Sequence, residues 1–110
     1  MVMTRDEFKE KSHVLSKAIT YSRGSVVSKT IIDRKSGTVT LFAFDKGQNL
    51  SEHTTPYDAL VLIIEGQGEI IINQKTHSME TGNMILMPAH KPHAVNAPEK
   101  FKMLLIMIKD

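Results

Sequence analysis

The rhythm of apolar and polar positions changes once along the chain, near Ser25. Before that point, "TRDEFKEKSHVL" mixes charge with scattered apolar residues. Thr4 and Glu7 have the spacing of a capping box, which predicts a helical or irregular lead-in over residues 4–18. After that point the pattern is β-branched, aromatic and short in period. "SVVSKTIIDR" and "TVTLFAFD" are predicted strands, joined by a turn at Lys35-Ser36-Gly37. "YDALVLII", then Glu65-Gly66-Gln67-Gly68, then "EIII" is predicted as a second hairpin, with a third turn at Asn73-Gln74-Lys75. "MILM", "HAVNA" and "FKMLLIMI" add further short strands. Closely spaced strands with turn chemistry between them and no helical crossover predict an all-β sandwich or barrel. The expected organisation is a lead-in over residues 1–24 and a barrel over 25–110, forming a single domain.

Two runs break the alternation that a strand with one wet face should show. Ala59 to Ile64 and Met103 to Ile108 are apolar at successive positions, so both faces need cover. A second subunit would supply it, and a homodimer is expected on that ground. The alternative cover is the lead-in, folded back over the same strands.

Composition then removes several classes of function. The chain has 110 residues, long enough for one buried core but not for two domains. Its 14 basic and 12 acidic residues are scattered, with no basic block or aromatic-interleaved stripe, so a nucleic-acid partner is not expected. There is no cysteine, which excludes disulfides, thiolate metal sites and a catalytic thiol. The charged beginning is unlike a signal peptide, and no apolar run reaches membrane-spanning length. A cytoplasmic protein with no membrane partner is the expectation.

The candidate chemistry lies in "SEHTTPYDALVLIIEG" and "GNMILMPAHKPHAV". If His53 opens the strand that continues to Ile64, the period of two places His53, Thr55, Tyr57, Ala59, Val61 and Ile63 on one face. His53 then points into the mouth of a largely apolar barrel. His93 follows Pro92 at the start of another strand, so the two imidazoles could converge on one point. Tyr57 would flank them, its hydroxyl orienting a ligand or its ring simply packing. The other histidines have simpler readings: His90 in a surface turn, His77 half-exposed on a strand, His13 without a visible role. The methionines at 84, 87, 103 and 107 are expected as adaptable core filler. Ser25 and Ser28 lack a histidine–acid constellation.

These two stretches carry a resemblance. Gly47, His53 and Gly66 resemble the first motif of the cupin superfamily, and Gly82, Pro88, His93 and nearby Asn96 resemble the second. The similarity spans roughly residues 38 to 108 and is that of small single-domain cupins of the conserved-barrel type. It implies a cupin-type double-stranded β-helix, or jelly-roll barrel, often dimeric. The family's metal centre would add a second histidine and a glutamate at the positions that are Thr55 and Ala59 here. Of the usual four ligands only His53 and His93 remain. Iron-type sites commonly need two imidazoles and a carboxylate. Asp58 has the wrong parity to supply it unless a bulge follows Pro56, and Glu52 has the same problem of parity beside His53.

Two readings of the histidine pair stay open: imidazoles bonded to each other or to water, or weak occupancy by divalent nickel, zinc or iron. The function expected first is a binding module for a small organic molecule in the barrel, with His53, Thr55, Tyr57 and His93 around it. The alternative is a metal-dependent enzyme of the dioxygenase, isomerase or decarboxylase kind. A barrel filled by side chains, with no cavity, would instead favour an interaction protein.

Overall fold

The structure is a computed structural model and describes residues 3–109. It is β throughout, in the order β1 (Met3–Thr4), β2 (Val26–Arg34), β3 (Gly37–Phe44), β4 (Asn49–His53), β5 (Asp58–Ile72), β6 (Lys75–Glu80), β7 (Met84–Met87), β8 (His93–Asn96) and β9 (Phe101–Ile108). All pairings are antiparallel. They run β1-β2-β3-β9-β5-β8-β4, and β6 and β7 also pair with β5. The sheet curls on itself into the expected jelly-roll barrel. No helix among the described residues is long and apolar enough to cross a membrane.

β5 organises the curl. The hairpin expected at Glu65–Gly68 is not formed; one strand of 15 residues runs straight through those positions. Its first half pairs with β9 and β7, and its second half pairs with β6 and β8. A register shift between Ile63 and Glu65 bends the strand from one sheet into the other. The glycines that resemble turn punctuation serve a close approach instead. Gly68 is buried against the face of Phe101, and a Cβ there would stand 2.6 Å from the ring. Phe101 in turn stacks on Phe44, with centroids 4.7 Å apart and planes 2° from parallel.

The other turns fall where the sequence predicts them. Lys35 and Ser36 link Arg34 to Gly37, which pair. Asn73 and Gln74 both have positive φ, the backbone of a type I′ hairpin. The core between the sheets is Phe44, Ala59, Val61, Ile63, Ile70, Met79, Met87, Val95, Ala97, Phe101 and Met103. Alternation along β5 puts Ala59, Val61 and Ile63 inside and leaves Leu60 and Leu62 half-buried outside.

The lead-in is extended rather than helical, with single 3-10 turns at Asp6–Phe8 and Leu15–Lys17. Thr4, expected to cap a helix, lies in β1, and its side chain is outside the described residues. Arg5 precedes the first turn without a side-chain cap. The segment then crosses the outer face of the larger sheet. Ile19, only 2% exposed, packs with Leu41 and Ala43, and Phe8, Ala18 and Tyr21 close around them. Burying a side chain of that size contributes about 2 kcal/mol. A polar latch fastens the strap. The Tyr21 hydroxyl donates to Glu65 at 2.6 Å, and the buried Lys102 ammonium donates to the Ser16 carbonyl. Lys102 also lies 3.5 Å from the Glu65 carboxylate and 4.8 Å from the Tyr21 ring centroid. The doubly apolar runs are thus covered in part by the lead-in, the alternative that the sequence left open.

Candidate functional site

His53 and His93 do meet, although not along the path expected from the pleat. β4 ends at His53, and residues 54–57 form a turn before β5 starts at Asp58. His53 therefore belongs to a different strand from Ala59. Pro56 lies in this turn, and Thr55 and Tyr57 fasten it. The Thr55 hydroxyl bonds the Tyr57 carbonyl at 3.1 Å and accepts the Tyr57 N–H at 3.4 Å. The His90 N–H donates to the Thr55 carbonyl at 2.7 Å, docking the 88–92 turn on this one. His90 is exposed with φ 68°, the surface turn residue expected. Thr55 and Tyr57 are half-buried, and neither bonds His53 or His93.

The register of β4 on β8 sets His53 directly opposite His93. The rings meet edge to face, with centroids 4.3 Å apart and Nε2 to Nε2 3.0 Å. Each ring's other nitrogen points at a carbonyl two residues earlier: Nδ1 of His53 at Ser51 (2.8 Å) and Nδ1 of His93 at Lys91 (3.2 Å). A carbonyl oxygen only accepts, so both Nδ1 atoms carry the hydrogen. In neutral rings both Nε2 atoms are then acceptors, and their lone pairs face each other. A shared proton, a cation, a ligand's donor or the other tautomer of one ring resolves that contact.

The two rings are not equivalent. His93 is 5% exposed, whereas His53 is open to solvent. Burial holds the His93 imidazole below its usual value; the Lys91 carbonyl opposes this and the charge of His53 adds to it. Burial thus favours the neutral form of His93. The carbonyls of Ser51 and Lys91 were invisible to sequence reasoning, since every residue has one.

A metal test follows from the donor set. Two nitrogens bound at right angles to one ion at about 2.1 Å stand about 3 Å apart, which is the spacing observed. Among the described residues no third ligand joins them. Asp58 points outward and accepts the Ala89 N–H at 2.8 Å, as its parity predicts. Ala59 is buried and has no donor atom. Among the described residues no three histidine, aspartate or glutamate side chains converge. The residues do not fit a three- or four-ligand centre.

Nor does a cavity of ligand size open in the barrel among the described residues. The space between the sheets is filled, and the histidines occupy its mouth. The register continues their row across the second sheet, His53–His93–Ile72–Lys75, with exposed Lys75 at its far end.

Comparison with known proteins agrees with this geometry. A family model described as "Cupin domain" matches residues 40–109. The chain is similar to a conserved protein of unknown function from Streptococcus pyogenes, with 35% identity and TM-score 0.92 over 100% of this chain and 96% of that one. It is also similar to a cupin superfamily protein from Desulfitobacterium hafniense, with 28% identity and TM-score 0.88 over 93% and 94% of the two chains. Salicylate 1,2-dioxygenase from Pseudoaminobacter salicylatoxidans shares 14% identity and TM-score 0.71 over 76% of this chain and 26% of that one, a likeness of fold alone. No curated protein matches the chain.

Proposed function

The chain belongs to the cupin family, and from that premise we propose that it is a small cytoplasmic binding module for a small organic molecule with an acidic or hydroxyl proton. The observation that carries the reading is the pair of Nε2 acceptors facing each other at 3.0 Å. An O–H group placed at the pair supplies the hydrogen that both lone pairs lack. If the group is an acid, its proton is shared by the two Nε2 atoms, and an anion stands beside the protonated pair. Lys75 adds a second positive charge in the same row, two strands and about 10 Å from His93. The ligand lies across the barrel mouth, with Tyr57 and Thr55 on the adjoining turn at its flank, rather than inside the filled core.

A divalent nickel, zinc or iron ion would find the same two nitrogens and, among the described residues, no other protein ligand. It would be weakly held. The enzyme reading requires a third ligand, which Thr55 and Ala59 do not provide. The filled interior favours a second reading, a protein that acts through its surface.

The test is thermal unfolding with a panel of small hydroxy, keto and carboxylic acids, with and without metal, on the parent and on His53→Ala. A binder at ten times its dissociation constant stabilises the parent by about 1.4 kcal/mol. The expected result is stabilisation without metal that His53→Ala abolishes. Stabilisation that survives the substitution, or that appears only with metal, counts against the proposal.

A further inference from the structure

The row that starts at the histidine pair has a second polar end. From His93 the register continues to Ile72 on β5 and Lys75 on β6. One alternation further along β6, His77 lies opposite Ile70, which is fully buried. Lys75 and His77 therefore share the inward face of β6. Lys75 is exposed and His77 half-buried, and neither has an ion-pair partner among the described residues. No acid competes for them on this face of β5 and β6. Glu69 and Glu80 alternate with buried Ile70 and Met79 and so point the other way.

The spacing between the two polar ends is held by the backbone. Asn73 and Gln74 both have positive φ and set Lys75 directly opposite Ile72. The Asn73 N–H donates to the Pro92 carbonyl at 2.8 Å, tying this hairpin to the residue before His93. Strands about 4.8 Å apart place Lys75 about 10 Å from His93, with half-buried Ile72 between them. A carboxylate seated at the imidazoles does not reach across Ile72 to Lys75. The larger sheet adds apolar surface at the same end of the barrel, where the 88–92 turn joins Met87 to His93. Met87 and Met107 pair with Ala59 and share its inward face. Met84, also expected in the core, instead points outward and is 69% exposed.

We propose that the ligand is a diacid with an apolar middle, an inference that rests on the acid-binding reading of the histidine pair. One acid end meets the two Nε2 atoms, and the chain crosses Ile72. The second carboxylate lies between the Lys75 ammonium and the His77 imidazole. A span of about 10 Å corresponds to an extended chain of about eight carbons.

Calorimetric titration of the full chain at neutral pH, without metal, tests this with octanedioic, octanoic and butanedioic acids. Octanedioic acid should bind about 10-fold more tightly than either of the others, because only it reaches both ends. Lys75→Ala should bring octanedioic and octanoic acid to equal affinity, whereas Lys75→Arg should keep the preference. Lys75→Glu should reverse it. Lys75 is exposed in a hairpin, so none of these variants threatens the fold. Equal binding of octanedioic and octanoic acid by the parent overturns the diacid proposal and leaves the acid-binding reading standing. So does a preference that survives Lys75→Ala. If none of the three acids binds, the diacid proposal falls, and thermal unfolding of the parent and His53→Ala decides the wider reading separately.

Discussion

The ring of Phe101 occupies the volume that any side chain at position 68 would need, with three of its carbons 2.6 to 2.7 Å from where a Cβ would sit. The ring cannot retreat, because Phe44 lies parallel behind it at 4.7 Å. Gly68→Ala should therefore destabilise the fold by about 1–3 kcal/mol, the usual cost of overpacking a filled core. Urea unfolding measures this directly. An unchanged midpoint would mean that the stack slides freely.

Much of the fold was legible because its signals are local. The two-residue links at Lys35-Ser36 and Asn73-Gln74, and the β-branched runs around them, announce their strands by composition. β5 was not legible as one strand, since Gly66 and Gly68 resemble turn residues and their purpose is Phe101, distant in sequence. The meeting of His53 with His93 was legible from their places in the two family motifs. The route was not. Counting parity from His53 through Ala59 assumed one strand, and the Thr55–Tyr57 hydrogen bonds break it into two. Asp58 and Ala59 still have the predicted faces, because β5 starts at Asp58 and keeps its own alternation.

Acid should weaken the fold first through His93. Its folded imidazole is held below the ordinary value of 6.5, chiefly by burial, while the unfolded chain titrates normally. The contribution is thus complete above about pH 6.5 and is lost as pH falls toward the folded value, because only the unfolded state gains the proton. Denaturant unfolding across pH 7 to about 5 should show this slope. In His93→Gln the slope should be smaller, and an identical slope would assign it to another group.

Glu65 should govern a second, more acidic limb. The Tyr21 hydroxyl first, with Lys102 assisting against burial, holds its carboxyl below the ordinary 4.5. That stability is present above pH 4.5 and disappears as pH falls through the folded value. Tyr21→Phe should cost about 1 kcal/mol at neutral pH for the half-buried bond. The gap between parent and variant should close in strong acid. A gap that persists there would mean the hydroxyl matters through packing.

Metal should be dispensable for the fold. Each histidine Nδ1 is tied to a backbone carbonyl, so dialysis against a chelator should leave the unfolding midpoint unchanged. Added nickel or zinc should bind once per chain and weakly, and His93→Ala should remove that binding. Thr55→His with Ala59→Glu would offer the missing imidazole and carboxylate, and calorimetry should register at least a 100-fold gain, about 2.7 kcal/mol. No gain would mean that the 54–57 turn carries position 55 away from the pair.

β9 follows every other strand in the chain, yet it lies between β3 and β5 at the centre of the larger sheet. During synthesis the two edges it will join must therefore wait, unpaired, until residue 108 has left the ribosome. Edges of that kind recruit other strands. A nascent chain that stalls shortly before its final strand should thus be the species most prone to aggregate and most in need of a chaperone.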